Sequence, residues 1–390
     1  METRKKFLLF GCWNNTNTNK KGEMLGNMKQ VMSKLNLYIK DPVTKPQFIV
    51  VAGDNYYSEK TATISNTGEK QETKIIHTQK LIDGLESLPT NIEINMILGN
   101  HDLETNGKKN TIFVDNINTP EEKPCYTLRT VMQHKNNIDL FLFKAEMLTN
   151  DTLLLMIDTS MYREKVAEYL PCYSIFLDTK IDSGEELIDY QNNLIQTAIK
   201  ENQSIKPIKN IIIVGHHPII GIKFTTLNNS DGEIETLDDI PYFLETLQMI
   251  KRTVTNNEAK YYYLCADVHL YQSGTIDINN GEMVINQYIV GTGGTELNEK
   301  IPDEFLRETY ERVRDNAKYT ITESIHDFGF LECVIDETPK FTFISATNTV
   351  PAGGRKKRKT RKITKRSKKA RRKTTKRNVR RKKIETNMDK

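Results

Sequence analysis

Short apolar runs recur along the first 350 residues, each bounded by polar or Gly/Asn/Asp signals. Lys6–Phe10, Gln47–Ala52, Glu93–Leu98, Ile138–Phe143, Leu153–Ile157, Asn210–Val214, Tyr261–Cys265 and Met283–Val290 fit buried or half-buried strands. Between them, Glu23–Ile39, Gly184–Glu201 and Leu237–Thr253 space apolar residues at three and four, which predicts amphipathic helices. Strands alternating with helices predict an α/β fold, a β-sandwich flanked by helices in an αββα arrangement. The polar stretch Lys60–Lys80 reads in part as a surface insertion before a helix. No internal repeat is evident. The small, breaker-rich residues 346–354 (ATNTVPAGG) mark a linker between a domain over 1–345 and a tail over 355–390.

Charge separates these two regions. Residues 1–350 carry 35 Lys+Arg against 49 Asp+Glu, and residues 351–390 carry 21 against two, so nets of −14 and +19 make up the +5 of the whole chain. A uniformly basic nucleic-acid-binding fold is excluded. Between Arg355 and Lys383, 20 of 29 residues are Lys or Arg, including Arg355, Lys356, Lys357, Arg358, Arg371, Arg372, Arg380 and Arg381. Such a segment buries too little apolar surface to offset its ordering entropy, so disorder is expected. It suits non-specific nucleic-acid binding, a nuclear address or anionic lipid, and without aromatics it offers no base stacking.

No apolar run approaches the roughly 20 residues of a membrane span. Phe7–Phe10 is also shorter than the roughly 7–15 residues of a signal-peptide core. Five scattered cysteines without a CxxC pair (Cys12, Cys125, Cys172, Cys265, Cys333) suggest reduced thiols in a reducing compartment. An intracellular, non-secreted chain is expected, in a nucleus, viral factory or virion if the tail directs it.

The chemistry lies where strands end. The expected strands run into Gly11-Cys12-Trp13-Asn14, Gly53-Asp54-Asn55-Tyr56-Tyr57, Gly99-Asn100-His101-Asp102, Gly215-His216-His217-Pro218 and Ala266-Asp267-Val268-His269. Four of the seven histidines fall in these clusters. In open α/β sheets, functional groups gather at the carboxyl ends of strands. Carboxylate, imidazole and amide oxygens suit hard or borderline cations, and two ions sharing a carboxylate form a clamp for phosphoryl chemistry. Asp54 and Asn100 alone would be ordinary turn residues, and Cys12 a small buried apolar group.

The series resembles the calcineurin-like metallophosphoesterase family over roughly residues 6–335. Gly53-Asp54, Gly99-Asn100-His101-Asp102 and Gly215-His216-His217-Pro218 match its GD, GNHD and GH-x-P motifs, and Tyr57 matches the purple (tartrate-resistant) acid phosphatase-like branch. Lesser similarities are Asp158-Thr159, the helix carrying Gln191, and Gly291–Gly294, the last read as a turn. The resemblance implies a dinuclear site of iron with zinc, manganese or a second iron. Cys12, Asp54, Tyr57 and His269 would hold one ion. Asp54, Asn100, His216 and Asp267 would hold the other. It further implies hydrolysis of a phosphorylated small molecule or phosphoprotein by a metal-activated hydroxide. His101, oriented by Asp102, would protonate the leaving group, and His217 would donate to the phosphate.

Two positions depart from the family, which has Asp at Cys12 and His at Asp267. Thiolate and carboxylate are both competent ligands. The alternative is a catalytically impaired binding protein of the same fold, tethered to nucleic acid by its tail. The tail itself is similar in composition to C-terminal extensions of large DNA virus proteins.

Overall fold

A computed structural model describes residues 5–18, 24, 26–64, 70–103, 111–114, 125–134, 137–226, 232–237, 240–312 and 316–347. The basic tail over 355–390 lies outside the described residues. β1 (Lys5–Phe10) leads to α1 (Met28–Lys40) and β2 (Phe48–Ala52), and a hairpin of β3 (Glu59–Ile64) and β4 (Lys70–His77) precedes α2 (Thr78–Ser87). β5 (Glu93–Ile97) runs into the single turn α3 (Asn100–Leu103), followed by β6 (Thr111–Val114), α4 (Tyr126–Gln133), β7 (Ile138–Leu140), β8 (Phe143–Thr149) and β9 (Thr152–Ile157). Next come α5 (Leu170–Leu177), α6 (Gly184–Gln203), β10 (Asn210–Val214), β11 (Gly221–Thr226), β12 (Gly232–Leu237), α7 (Phe243–Thr253) and β13 (Lys260–Cys265). The remaining strands are β14 (Tyr271–Ile278), β15 (Met283–Val290), β16 (Thr309–Arg312), β17 (Ala317–Ile325), β18 (Gly329–Ile335) and β19 (Lys340–Ser345).

One sheet has the order β19-β18-β1-β2-β5-β7, parallel from β1 to β7. The other has the order β16-β17-β14-β15-β13-β10-β9-β8, parallel from β15 to β9. The central strands FIVVA, TLLLMI and NIIIV are buried along their whole length, as parallel strands covered on both faces must be. Alternation then sorts their side chains. Leu9, Val50, Met156 and Val214 meet between the sheets. Phe10 and Val51 face Leu35 of α1 and Leu81 of α2, while Leu155, Ile213 and Tyr263 face Leu187 and Ile195 of α6 and Leu247 of α7. This is the expected αββα sandwich, with each buried aliphatic side chain contributing about 1.5–3 kcal/mol.

α6 begins where the Ser183 side chain accepts from Glu186 N, with Glu185 and Glu186 in its first turn. It buries Leu187, Gln191, Ile195 and Ile199, a strict four-residue stripe that brings Gln191 under the end of β9.

Several expectations need correction. The apolar run Ile138–Phe143 is a crossover, ending one sheet as β7 and opening the other as β8. The helix expected over Leu237–Thr253 starts only at Phe243, since Leu237 ends β12 and Pro241 stands before the first turn. The stretch expected in part as an insertion before a helix pairs as β3 and β4 in a small sheet apart from the two main ones, and α2 follows it from Thr78. Cys125 and Cys172 form a disulfide, so the expectation of five reduced thiols fails, and with it the support that cysteine usage gave to a reducing compartment. The two are 47 residues apart, at the start of α4 and within α5, and only the fold brings their Cα atoms to 5.5 Å. Cys12, Cys265 and Cys333 are free and buried. No described helix is long and apolar enough to cross a membrane.

Candidate metal centre

The carboxyl ends of β1, β2 and β5 in one sheet meet those of β10 and β13 in the other. Cys12, Asp54 and Asp267 follow their strands with φ of 54°, 54° and 56°, in the left-handed region. Such backbone costs on the order of 1–3 kcal/mol per non-glycine residue, and its concentration at one place marks a built site. Gly53, with φ 80°, lets β2 end in the same sharp turn, and a Cβ there would lie 2.6 Å from His216 Nδ1. A Cβ on Gly99 would overlap Asp54 Oδ1.

Asp54 is fully buried and faces both ways. Its Oδ2 accepts from the Tyr57 hydroxyl at 2.8 Å and lies 3.9 Å from Cys12 Sγ, and Tyr57 in turn sits 3.1 Å from His269 Nε2. The ligand atoms of Cys12, Asp54 and His269 all lie within 4.8 Å of one another. On the other side, Asp54 Oδ1 accepts from His101 N at 3.0 Å and lies 3.3 Å from His216 Nε2, which is 3.7 Å from Asp267 Oδ1. His216, His217 and Asp267 form a second group within 4.8 Å.

His216 is held from behind. Its Nδ1 donates to the Ala52 carbonyl at 2.6 Å, and its buried Nε2 makes no hydrogen bond. Burial disfavours its charged form, yet Asp54 and Asp267 override this and raise its pKa to about 9. Burial likewise opposes ionisation of Asp54, but His216 and His101 hold that carboxyl well below the usual range. Burial, with Asp54 and Asp267 beside it, pushes the Cys12 thiol well up. His269 is pushed down to about 4, first by burial. Its backbone N donates to Asn298 Oδ1 at 2.8 Å, which fixes the turn that carries it.

Asn100 is buried at the start of α3. His101 is half-buried, its ring 4.5 Å from that of Tyr57. The Asp102 carboxylate, expected to orient His101, accepts from Asn55 N (3.0 Å), Asn55 Nδ2 (2.9 Å) and Gly99 N (2.8 Å). It therefore clamps the loop after β2 to the loop after β5, and burial with Asp54 nearby raises its pKa to about 7. Asn55, which also donates to Ile97 O, Asn298 and Thr159 are supports that ligand spacing did not single out. Their signal was position alone, beside or just after a strand end.

Two imidazoles gathered with two carboxylates, a phenol and a thiol form a donor set that fits divalent or trivalent cations. Among solved structures, the chain is similar to the purple acid phosphatase PPD1 isolated from yellow lupin (Lupinus luteus) seeds, at 12% identity and TM-score 0.47, covering 89% of this chain and 52% of that one. The chain thus spans about half the length of the lupin protein. It is also similar to PhoD, at 12% identity and TM-score 0.46, covering 87% of this chain and 68% of that one. No curated protein matches the sequence. Residues 5–271 match the profile of the calcineurin-like phosphoesterases, the same stretch that carries all the strand-end clusters. On this match, the chain belongs to the calcineurin-like phosphoesterase family.

Proposed function

We propose that the protein is a metal-dependent phosphoesterase that hydrolyses phosphomonoesters at a dinuclear site. The observation that carries this reading is His216 Nε2, buried without a hydrogen bond between Asp54 Oδ1 at 3.3 Å and Asp267 Oδ1 at 3.7 Å. Cys12, Asp54, Tyr57 and His269 would hold one ion, and Asp54, Asn100, His216 and Asp267 the other. Iron with zinc, manganese or a second iron suits this mixture of hard and soft donors. Bound ions would supply Lewis acidity and an activated water. The chain's own residues would do the rest. Asp102 and Asn55 keep the two loops in register, and His101 stands at the half-exposed rim as proton donor to the leaving group. His217 would contact the phosphoryl oxygens.

Cys12, where the family has Asp, keeps its sulfur at 3.9 Å from Asp54 Oδ2, which supports an altered ligand rather than a lost one. Tyr57 favours a monoester substrate through the similarity of its motif to the purple acid phosphatase branch. The basic residues of 355–383 would add non-specific, salt-dependent contacts to nucleic acid or another polyanion. The test is turnover of p-nitrophenyl phosphate beside bis-p-nitrophenyl phosphate after reconstitution with iron, zinc or manganese. Preference for the monoester is expected, and no turnover of either under any metal would refute the proposal.

A further inference from the structure

β9 ends at Ile157, and the next two residues, Asp158 and Thr159, are wholly buried. Their backbone is pinned on both sides. Gln191 of α6 accepts from Asp158 N at 3.0 Å and donates to Asp158 O at 3.1 Å. The Asp158 carboxylate accepts from Ser160 N at 2.7 Å and from the Tyr173 hydroxyl at 2.8 Å. The Thr159 hydroxyl is thereby fixed against the turn after β10, where a Cβ on Gly215 would press into the Thr159 methyl at 2.5 Å.

That hydroxyl has three partners in the turn, and the Tyr263 hydroxyl beside it donates to His217 O at 2.6 Å. Oγ1 accepts from His216 N and from His217 N, each at 3.0 Å, and it lies 3.0 Å from His217 Nδ1. A hydroxyl oxygen offers two lone pairs and one proton. The two amides occupy the lone pairs, so the proton points to Nδ1, which must be the bare ring nitrogen. An imidazole with a bare Nδ1 is neutral and carries its single proton on Nε2. That Nε2 is buried and makes no hydrogen bond. Although it lies in the group with His216 and Asp267, a protonated nitrogen has no lone pair for a cation and can only donate.

We propose that Thr159 is a positioning residue that locks His217 as the Nε2–H tautomer. The lock keeps His217 off the metals and makes it a neutral donor to a phosphoryl oxygen. His216 and His217 are adjacent in sequence but their Nδ1 atoms take opposite roles, donor to a carbonyl in one and acceptor from a hydroxyl in the other. The donor role rests on the phosphoesterase reading above, whereas the tautomer does not.

The test uses the 390-residue chain with Thr159→Val, which removes the hydroxyl at similar volume, and Thr159→Ser, which keeps it. Side-chain 15N NMR, with the His217 signals assigned by their loss in His217→Asn, is expected to show bare Nδ1 and protonated Nε2 in the wild type and in Thr159→Ser. Thr159→Val is expected to lose that pattern. Calorimetric affinity of the metal-loaded protein for inorganic phosphate should fall about tenfold in Thr159→Val and return in Thr159→Ser, the scale of one hydrogen bond to a charged group. Protonated Nδ1 in the wild type overturns the proposal without reference to any variant. So does a folded Thr159→Val with unchanged tautomer and phosphate affinity. A wild type with Nε2–H that binds no phosphate under any metal upholds the lock and overturns the phosphoesterase reading.

Discussion

The two halves of the site meet at Asp54 but are held in opposite ways. Around Cys12, Tyr57 and His269, the side chains satisfy one another: the phenol donates to Asp54 Oδ2 and lies against His269 Nε2. Around His216 and His217, the outer ring atoms are tied to the scaffold, to the Ala52 carbonyl and the Thr159 hydroxyl, and the inner nitrogens have no hydrogen bond. A buried polar atom without a partner costs about 1–3 kcal/mol. His217 Nε2 carries that penalty, whereas His216 Nε2 is offset by the charges of Asp54 at 3.3 Å and Asp267 at 3.7 Å. Under the proposed function the first half would exchange internal hydrogen bonds for ligation. Pre-organisation comes from the surrounding scaffold in one half and from the site side chains themselves in the other.

Asp54→Asn touches both halves and has the largest expected effect, a loss of phosphoester turnover on the order of 10³-fold with both ions released. Turnover and elemental analysis of the same sample check it. His216→Ala separates the halves: one ion per chain should remain, on the Cys12 side, and retention of two would show that His216 is not a ligand. Cys12→Asp sharpens the contrast in donor type. Cobalt bound to the wild type should show a thiolate charge-transfer band that the variant lacks, while the variant's affinity for zinc falls about tenfold or more.

Asp158→Asn probes the scaffold behind the second half and has the smallest effect. Burial raises the Asp158 pKa from 3.8 to about 6 in the folded chain. Between those values the folded state keeps a proton that the unfolded state has released, so this group's contribution to stability is full below pH 4 and falls as pH rises to 6. Urea unfolding across that window should show a shallower decline in the variant, by on the order of 1–3 kcal/mol. A decline equal to that of the wild type would show that Asp158 does not titrate there.

Much of this site was legible in the sequence because parallel strands are punctuated where they end. Gly53-Asp54 and Gly215-His216 follow uninterrupted apolar runs, Gly99-Asn100 follows one broken only by Asn95, and that adjacency survives folding. The antiparallel strands β16–β19 were not legible, since a strand such as AKYTITESI mixes buried and half-exposed positions. The Cys125–Cys172 bond was invisible for another reason: it joins two helices through the third dimension, and spacing in the chain has no bearing on it. Thr159 lies between these cases. Its place after β9 was noted, but its three hydrogen bonds depend on β10 lying in register beside β9. Asp102 was read as a partner of His101 because the two are neighbours in sequence, whereas its described hydrogen bonds reach Asn55 across to the next strand's loop.

The proposed dinuclear site depends on Asp54, whose two carboxylate oxygens face the two side-chain groups. The most direct measurement is the number of metal ions bound per 390-residue chain, in wild type and Asp54→Asn, with p-nitrophenyl phosphate turnover on the same preparations. Two ions and turnover in the wild type, both lost in the variant, are predicted. One ion or none in the wild type, without turnover under iron, zinc or manganese, would contradict the account.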